Sequence, residues 1–231
     1  MGLKKNLQIA IDGPLAAGKG TVAYLLAKKL EILYVDTGAM YRAAALLGLR
    51  HGLDLKKEAP LVKLLKQAKI ELKIPEKNDG RFCTALLNGE DVTWKIRDPR
   101  VSWGSSQVGT FPQARKHLVA LQKKIAQAQV VVMEGRDITT VVLPKADLKV
   151  YMTANPTIRA KRRWRQLQQV GKKDSFKKVL SEAKKRDYQD KHKGGLKLAK
   201  DAWILNTTKL TIDQVVAKIL AKLRSRGLLT D

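Results

Sequence analysis

The sequence predicts an α/β fold in which a parallel sheet of about five strands is covered by helices on both faces. Short apolar runs recur along the chain, and segments with apolar residues at helical spacing separate them. Strands that are apolar on both faces are typical of parallel sheets buried between helices. Hydrophobic residues make up 44% of the 231 residues and charged residues 29%, which is the composition of a globular protein.

Each strand of the sheet corresponds to one apolar run. The first strand covers residues 7–12 (LQIAID), a glycine-rich turn follows it, and residues 21–30 then repeat apolar positions at helical spacing. This succession predicts a strand, a loop and a helix. The other predicted strands are residues 32–35, 130–133, 148–152 and 202–205, and the clearest helices between them are residues 115–128 and 212–223.

Two segments break this rhythm and are expected outside the sheet. Residues 69–97 contain an alternating stretch at residues 70–74, an apolar stretch at residues 81–87, and turns at residues 78–80 and 88–89, which together predict a small antiparallel unit. Residues 157–199 contain two helical patterns around Gly171 and predict a mobile lid. The alternative for both segments is a surface decoration without a role in function.

The charge of the chain restricts its partners. The formal net charge is +25, and residues 159–200 alone hold 16 basic and 4 acidic side chains. Such an excess suits the handling of phosphate groups, and it would also attract nucleic acid. Aromatic residues make up only 5% of the chain, which lacks a tandem-acid helicase motif and an RNA-binding aromatic signature. We therefore do not expect nucleic acid as a partner.

Membrane, secretory and zinc-binding classes are not expected. No apolar run approaches the roughly 18 residues that a membrane span needs, and residues 1–8 lack the apolar core of a signal peptide. The expected location is the cytoplasm. Cys83 is the single cysteine, so an internal disulfide is not possible, and no cysteine or histidine cluster suggests zinc.

The turn after the first strand has the spacing of a phosphate-binding loop. Its glycines allow the backbone to curl so that N–H groups point at phosphate oxygens, and the helix N-terminus adds its positive end. Lys19 supplies a full charge for the β- and γ-phosphates of ATP. Gly20 separates Lys19 from Thr21, whereas the strict pattern has Ser or Thr directly after the lysine. The predicted loop consists of Gly13, Pro14, Leu15, Ala16, Ala17, Gly18, Lys19, Gly20 and Thr21.

A magnesium ion is expected with the triphosphate, because Mg²⁺ bridges phosphate oxygens in enzymes that transfer phosphoryl groups. Thr21 and Glu134 are the predicted metal-binding residues, and Glu134 is expected to act through water from the end of its strand. Asp12, beside the loop, is a weaker candidate. In the alternative interpretation, Glu134 only ends its strand and faces Arg136.

If the bound ATP donates a phosphoryl group, the molecule that accepts it is best interpreted as a phosphate monoester. Its second pKa is about 6, so it is mostly a dianionic nucleophile at neutral pH and needs no general base. Arginines are needed instead, to bring two like-charged phosphates together and to stabilise the transferring group. A kinase for a metabolite hydroxyl and a basic nucleic-acid-binding ATPase remain alternatives. The candidate arginines are Arg42, Arg136, Arg159, Arg162, Arg163 and Arg186.

Four further blocks carry a resemblance to a known family. They are residues 36–42 (DTGAMYR), 106–115 (SQVGTFPQAR), 134–137 (EGRD) and 186–190 (RDYQD). Together with the phosphate loop, these blocks resemble those of the bacterial cytidylate kinases, which are nucleoside monophosphate kinases of the P-loop type, and they run in the family's order. The predicted antiparallel unit is likewise similar to a three-stranded element of that family.

The resemblance implies that the γ-phosphate of ATP is transferred to CMP or dCMP, and a kinase for another nucleoside monophosphate is a further alternative. Arg42 and Arg136 would hold the acceptor phosphate, and Arg186 and Asp190 would lie near the ribose. The residues implied to bind CMP are Thr37, Tyr41, Arg42, Ser106, Arg115, Arg136, Asp137, Arg186 and Asp190, and those implied to be catalytic are Lys19, Arg136, Arg163 and Arg186.

The base of the acceptor would be surrounded by Ser106, Arg115 and Asp137. Cytosine has an exocyclic amino donor beside ring acceptors, so a carboxylate next to arginine and serine donors matches its edge. A uracil carbonyl would face the same carboxylate unfavourably. The resemblance therefore implies a preference for cytosine, because polar mismatches discriminate strongly between substrates.

The resemblance also implies a single P-loop kinase domain and, by analogy, a monomer. Residues 1–36, 129–156 and 200–231 would form its core. Residues 37–128 would form the monophosphate-binding region, and residues 157–199 the basic lid region.

Three positions depart from the family pattern. Glu134 stands where many members have aspartate, and Thr139 replaces a glycine. Lys193 stands in a segment where arginines are usual. Lysine lacks the planar fork with which arginine binds phosphate, so this last change concerns the contacts of the lid.

Overall fold

The computed structural model describes residues 2–169, 171–192 and 195–230. Its strands are β1 (Gly2–Leu3), β2 (Gln8–Asp12), β3 (Leu33–Asp36), β4 (Ile70–Lys73), β5 (Thr84–Leu87), β6 (Glu90–Asp91), β7 (Val131–Gly135), β8 (Leu148–Thr153), β9 (Trp203–Asn206) and β10 (Leu229–Thr230). Its α-helices are α1 (Lys19–Leu30), α2 (Thr37–Arg50), α3 (Glu58–Leu65), α4 (Pro99–Val108), α5 (Pro112–Ala128), α6 (Pro156–Gln169), α7 (Phe176–His192) and α8 (Ile212–Ser225).

A five-stranded parallel sheet forms the core, in the order β3-β7-β2-β8-β9. The central strand β2 is buried from Ile9 to Asp12, as expected for a strand covered on both faces. Helix α1 packs against β3, β7 and α8. The predicted fold class is confirmed, and each predicted sheet strand lies within one or two residues of the observed one.

The predicted antiparallel unit is a second sheet with the order β4-β5-β6. Its register pairs Ile70 with Leu87 and Leu86 with Asp91. Cross-strand pairs of this kind bury Ile70 and Leu87 on the side that packs against α2. Residues 81–83 belong to the turn before β5, so the second strand begins later than its apolar run indicated.

Two helices, α6 and α7, form the segment predicted as a lid, and they pack against each other. Trp164 on α6 donates through Nε1 to the Asp174 carbonyl oxygen at 2.9 Å and meets the Phe176 ring edge-to-face. None of the helices within the described ranges combines the length and the apolar character needed to cross a bilayer. The division into core, monophosphate-binding region and lid stays a prediction.

The direction of the sheet brings the predicted site together. Strands β2, β3 and β7 are parallel, and their register aligns Asp12 with Gly135 and Asp36 with Glu134. The loops that follow these strands therefore leave the same edge of the sheet, which is where open α/β sheets bind ligands.

Candidate active site

The phosphate loop turns sharply between β2 and α1. Gly13 has φ 150° and Gly18 has φ 92°, values that favour glycine, and Ala16 also has a positive φ of 58°. A Cβ atom at Gly13 would lie 2.0 Å from the backbone oxygen of Met152 on β8. Glycine is therefore required at this position by both the conformation and the neighbouring strand.

The N-terminus of α1 is left open by its sequence. Side chains cap α2 and α8, since Asp36 accepts from the Ala39 N–H at 2.9 Å and Thr211 forms a capping box with Gln214. Helix α1 begins after Gly18, which has no side chain to cap it. Its first N–H groups are thus available to an anion, as the phosphate-loop prediction requires.

Lys19 lies at the start of α1 and is buried. Its Nζ donates to the Pro14 carbonyl oxygen at 3.1 Å and lies 3.9 Å from Oε2 of Glu134. The pKa of Lys19 is lowered to about 8, mainly by burial and also by the charge of Arg136, while Glu134 opposes the shift. The ammonium group is therefore held inside the loop at the position where phosphate charge is expected.

Of the two predicted magnesium ligands, Thr21 lies in the first turn of α1 and Glu134 near the end of β7. Glu134 is half-buried, and its carboxylate makes no side-chain hydrogen bond within the described residues; its one ion-pair contact is to Nζ of Lys19. Burial raises the pKa of Glu134, and Lys19 opposes this effect. No group of three or more acidic, histidine or cysteine side chains in the described ranges could hold a metal by itself. The Glu134 carboxylate is an oxygen donor, and Mg²⁺ prefers oxygen ligands and is commonly held by one or two carboxylates together with water and phosphate.

Asp12, a weaker candidate for binding magnesium in the sequence analysis, makes structural hydrogen bonds instead. Its carboxylate accepts from the backbone N–H groups of Ile138 and Thr139 at 2.9 and 2.8 Å, and from the Thr139 hydroxyl at 2.6 Å. Both oxygens are occupied by the loop that follows β7. Asp12 therefore positions the segment that carries Arg136 and Asp137, and the unusual Thr139 adds a bond that glycine could not make.

A cavity of about 490 Å³ opens beside the phosphate loop. Glu134 lines this cavity and also faces Lys19, so the two sites adjoin. Each residue predicted to bind the acceptor lines it: Thr37, Tyr41, Arg42, Ser106, Arg115, Arg136, Asp137, Arg186 and Asp190. The structure thus brings together residues from four separate sequence blocks.

Asp190 links two arginines at one end of this cavity. It is buried, and it accepts from Nε of Arg136 at 2.7 Å and from Nε of Arg186 at 2.9 Å. Arg186 also donates to the Ser106 hydroxyl. Ser106, predicted at the base, therefore contacts an arginine predicted near the ribose, and Asp190 already has cationic partners on both oxygens.

Arg115 and Asp137 form an ion pair at the place predicted for the base. Arg115 also donates to the Gly109 carbonyl oxygen at 3.2 Å. Burial raises the pKa of Asp137, while Arg115 opposes the shift. Burial likewise raises the pKa of Tyr41 to about 12, so the phenol beside this pair remains a neutral hydrogen-bonding group.

Sequence reasoning gave no site role to Asp36, although it begins one of the family blocks. Its carboxylate caps α2 and lies 3.4 Å from Nη1 of Arg42 and 3.9 Å from Nη2 of Arg97. Burial opposes ionisation of Asp36, but Arg42 and Arg97 hold its pKa below the usual value. An aspartate between a strand and a helix is a capping signal that could have revealed it. The other polar side chains of the cavity that were missed are Ser105, Gln107, Thr110 and Gln189.

The lid arginines have three different environments. Arg159 is buried, donates to the Leu15 carbonyl oxygen at 3.0 Å and forms a bidentate pair with Asp187. Arg162 donates to the Thr207 hydroxyl and carbonyl oxygens at 3.1 and 2.7 Å. These two arginines therefore anchor α6 beside the phosphate loop.

Arg163 has no hydrogen bond or ion pair to any residue that the structure describes. Burial lowers its pKa, and so does the charge of Arg42 across the cleft. Glu182 opposes this shift through its charge. The predicted catalytic role of Arg163 stays a prediction. Lys193, the position where an arginine was expected, lies outside the described residues.

Comparisons with known proteins assign the chain to a family. Residues 9–225 match the family model described as cytidylate kinase. A cytidylate kinase from Desulfitobacterium hafniense is 45% identical over 95% of this chain and 93% of its own length. One from Carboxydothermus hydrogenoformans is 45% identical over 93% of this chain and 96% of its own.

A likeness of fold alone extends to a more distant protein. The crystal structure of an uncharacterized protein from Eubacterium ventriosum has a TM-score of 0.53 and 15% identity, covering 96% of this chain and 99% of that one. The family assignment rests on the sequence matches, which span nearly the whole chain and include the phosphate loop and the cavity residues. On these grounds, the chain belongs to the cytidylate kinase family.

Proposed function

We propose that this protein transfers the γ-phosphate of ATP to CMP or dCMP, giving ADP and CDP or dCDP. One observation carries the proposal beyond family membership. The cavity lined by the predicted acceptor residues adjoins the phosphate loop through Glu134, which lies 3.9 Å from Nζ of Lys19. An acceptor phosphate in this cavity would lie next to the γ-phosphate of ATP.

The donor triphosphate would be held by the phosphate loop. Backbone N–H groups from Gly13 to Thr21 and the open end of α1 would bind its oxygens, and Lys19 would neutralise the β- and γ-phosphates. Thr21 and Glu134 would hold Mg²⁺, Glu134 through water. When bound, the ion would neutralise charge that develops between the β- and γ-phosphates.

The acceptor phosphate requires positioning rather than a base. Its oxygen would attack the γ-phosphorus, and the bond from phosphorus to the bridging oxygen of ADP would break. Arg42 and Arg136 would hold the acceptor phosphate in line. Arg163 and Arg186 would stabilise charge on the transferring group, as arginines do in this reaction class.

The base would be recognised by the polar pair at the far end of the cavity. The carboxylate of Asp137 would accept from the exocyclic amino group of cytosine, while Arg115 and Ser106 would donate to its ring acceptors. Tyr41 and Thr37 complete the wall, although the Thr37 hydroxyl already donates to the Glu134 carbonyl oxygen at 2.8 Å. Arg186 and Asp190 would lie near the ribose hydroxyls.

Closure of α6 and α7 over ATP would exclude water from the reaction. In this account, residues 37–128 bind the monophosphate, residues 157–199 form the lid, and the remaining residues form the core. The cytoplasm is the proposed location because both nucleotide substrates are metabolites of that compartment. A monomeric state stays a prediction.

A coupled assay of ADP release tests the proposal. The acceptors would be CMP, dCMP, UMP, AMP, shikimate and a single-stranded oligonucleotide, each with Mg²⁺ and ATP. CMP and dCMP are expected to stimulate ADP release most strongly. A flat response, or a response to the oligonucleotide alone, would overturn the assignment. Family membership does not favour the oligonucleotide-dependent ATPase or a kinase for another acceptor.

A further inference from the structure

A second cavity, of about 270 Å³, lies between α1, β3 and the segment that joins β4 to β5. It shares no lining residue with the acceptor cavity. The reaction proposed above gives it no role. We call it the α1–hairpin cavity, and its chemistry is distinct enough to define what could bind there.

Aromatic rings form one wall of the α1–hairpin cavity. Tyr24 and Phe82 are stacked with their ring centroids 4.3 Å apart and their planes within 4° of each other. Tyr34 meets both rings edge-to-face, at 6.2 and 6.4 Å. Ile74 also lines the cavity, and 60% of its surface is exposed. A flat apolar ligand would contact the rings and cover Ile74.

Cations line the same cavity without acidic partners. Lys28, Lys73 and Lys77 make no side-chain hydrogen bond or ion pair with any described residue. Arg81 is neutralised, because it pairs with Asp79 and Asp91 outside the ligand space. Glu76 is the one carboxylate among the lining residues. The cavity therefore has a net positive charge as well as an apolar wall.

We propose that the α1–hairpin cavity binds a small planar aromatic anion. The aromatic and aliphatic side chains would contact the ring system, and the lysines would attract its carboxylate, sulfonate or phosphate group. The volume is slightly below the usual range for ligand pockets, about 300–1,000 Å³. This size suits one or two fused rings and excludes a nucleoside triphosphate.

Tyr34 connects this cavity to the donor side of the active site. Its ring lines the α1–hairpin cavity, and its hydroxyl oxygen would lie 3.4 Å from a Cβ atom at Gly20 of the phosphate loop. The same Cβ would lie 3.6 Å from Oε1 of Glu134. An occupant that moves the Tyr34 ring would therefore alter the surroundings of the ATP phosphates. The effect on ATP, but not ligand binding itself, rests on the proposed function.

Calorimetric titration of the full chain with 1-naphthalenesulfonate tests the binding site. A non-hydrolysable ATP analogue and CMP are present at saturation, so that the catalytic site is blocked. Binding is expected, with 1-naphthalenemethanol at least about tenfold weaker because it lacks the charge. Equal affinity for both compounds would overturn the site. So would binding of the probe that is seen without the nucleotides and is lost in their presence.

Two variants locate the probe. Ile74→Glu removes an exposed apolar contact and adds a repelling charge, and it should weaken binding at least about tenfold. Ile212→Glu is the matched control, because Ile212 is 45% exposed in the first turn of α8 and outside the cavity. A triple variant, Lys28→Gln with Lys73→Gln and Lys77→Gln, should weaken binding by a similar factor. Its matched control replaces three lysines of α5 and should leave the affinity unchanged: Lys116→Gln, Lys123→Gln and Lys124→Gln. Unchanged affinity in both cavity variants would refute the site.

Steady-state kinetics test the connection through Tyr34. Saturating probe is expected to change the KM for ATP at least about twofold and to leave the KM for CMP unchanged, because Tyr34 adjoins the donor loop. The Ile74→Glu variant should lose this response. If the KM for ATP stays constant while calorimetry shows an occupied cavity, the proposed connection is wrong.

Discussion

The donor and acceptor sides of the cleft are built in different ways. The donor side is shaped by the backbone, through glycines with positive φ and a helix whose first N–H groups have no side-chain cap. The acceptor side is a network of charged side chains in which each arginine already has a carboxylate partner. These pairs are Arg42–Asp36, Arg115–Asp137, Arg136–Asp190 and Arg186–Asp190.

This difference determines how strongly each side can discriminate between ligands. A backbone loop binds any triphosphate in the same manner, since N–H groups carry no choice of base. Paired side chains must exchange a carboxylate for the substrate phosphate or base, and this exchange rejects ligands that cannot replace the lost contacts. We therefore expect donor-side changes to abolish turnover and acceptor-side changes to alter selectivity as well.

The largest effect is expected from Lys19→Met, which removes the one full charge inside the donor loop. Turnover should fall about 10³-fold, because preorganised charge at a transferring phosphate is worth that much. Steady-state ADP release measures the loss, and a thermal melt close to that of the unaltered protein shows that the fold persists. Turnover within about tenfold of the unaltered protein would contradict the donor assignment.

Arg136→Met tests the acceptor side at its most connected arginine. It removes one of the two arginine partners of Asp190 and a predicted contact to the acceptor phosphate, so kcat/KM for CMP should fall about 10²-fold. The KM for ATP should change much less. Arg50→Met is the matched control, because Arg50 pairs with Glu90 and lies outside the cavity. If kcat/KM for CMP falls equally in the two variants, Arg136 does not bind the acceptor.

Asp137→Ala tests the choice of base. The ratio of kcat/KM for CMP to that for UMP should fall about 10- to 100-fold, because the carboxylate that rejects the uracil carbonyl is gone. Competing acceptors in one reaction, resolved by chromatography, measure this ratio directly. Asp201→Ala, which removes an exposed carboxylate paired with Lys149, should leave it unchanged. An unaltered CMP preference in Asp137→Ala would disprove the base assignment.

The smallest effect is expected from pH, and it should distinguish the two sides. Burial lowers the pKa of Lys19 to about 8, so the free enzyme loses this proton as the pH rises through 8. The neutral amine no longer attracts phosphate, and kcat/KM for ATP should fall up to about tenfold per pH unit above that value. With ATP saturating, kcat/KM for CMP should stay level up to about pH 9.5, because the acceptor side uses arginines and bound phosphates favour the charged lysine. If kcat/KM for ATP and kcat/KM for CMP decline together above pH 8, the two sides of the cleft do not differ in this way.

Much of the fold could be predicted because it depends on local patterns. The run LQIAID followed by glycines predicted β2, the loop and α1, and the observed strand begins one residue later, at Gln8. The antiparallel unit was predicted from alternation and turns. The second strand of this unit was predicted to begin at residue 81, but β5 begins at Thr84. Phe82 and Cys83 are apolar because they pack against the core, and they do not pair with β4.

The long-range contacts of the site could not be predicted from the sequence. Asp12 was considered for metal binding from its place beside the loop, but its partners Ile138 and Thr139 are more than 120 residues away. Asp190 was expected at the ribose. Its pair with Arg186 is local, because the two residues lie four apart on α7, but its pair with Arg136 depends on how α7 packs over the cavity. Residue identity gives the chemistry of a side chain, whereas the partner it meets depends on tertiary contacts.

The α1–hairpin cavity is a further case of this limit. Tyr24, Tyr34 and Phe82 belong to a helix, a strand and a turn, and no periodicity in the sequence links them. Their rings meet only because the β4–β5 segment folds against α1. A sequence motif could not have indicated this site.

A crystal structure with an ATP analogue, Mg²⁺ and CMP tests the central claim most directly. The account predicts β- and γ-phosphates inside the turn from Gly13 to Thr21, with the CMP phosphate held by Arg42 and Arg136 in line with the γ-phosphorus. Nucleotide bound elsewhere with that turn left empty, or a CMP phosphate out of reach of both arginines, would contradict it.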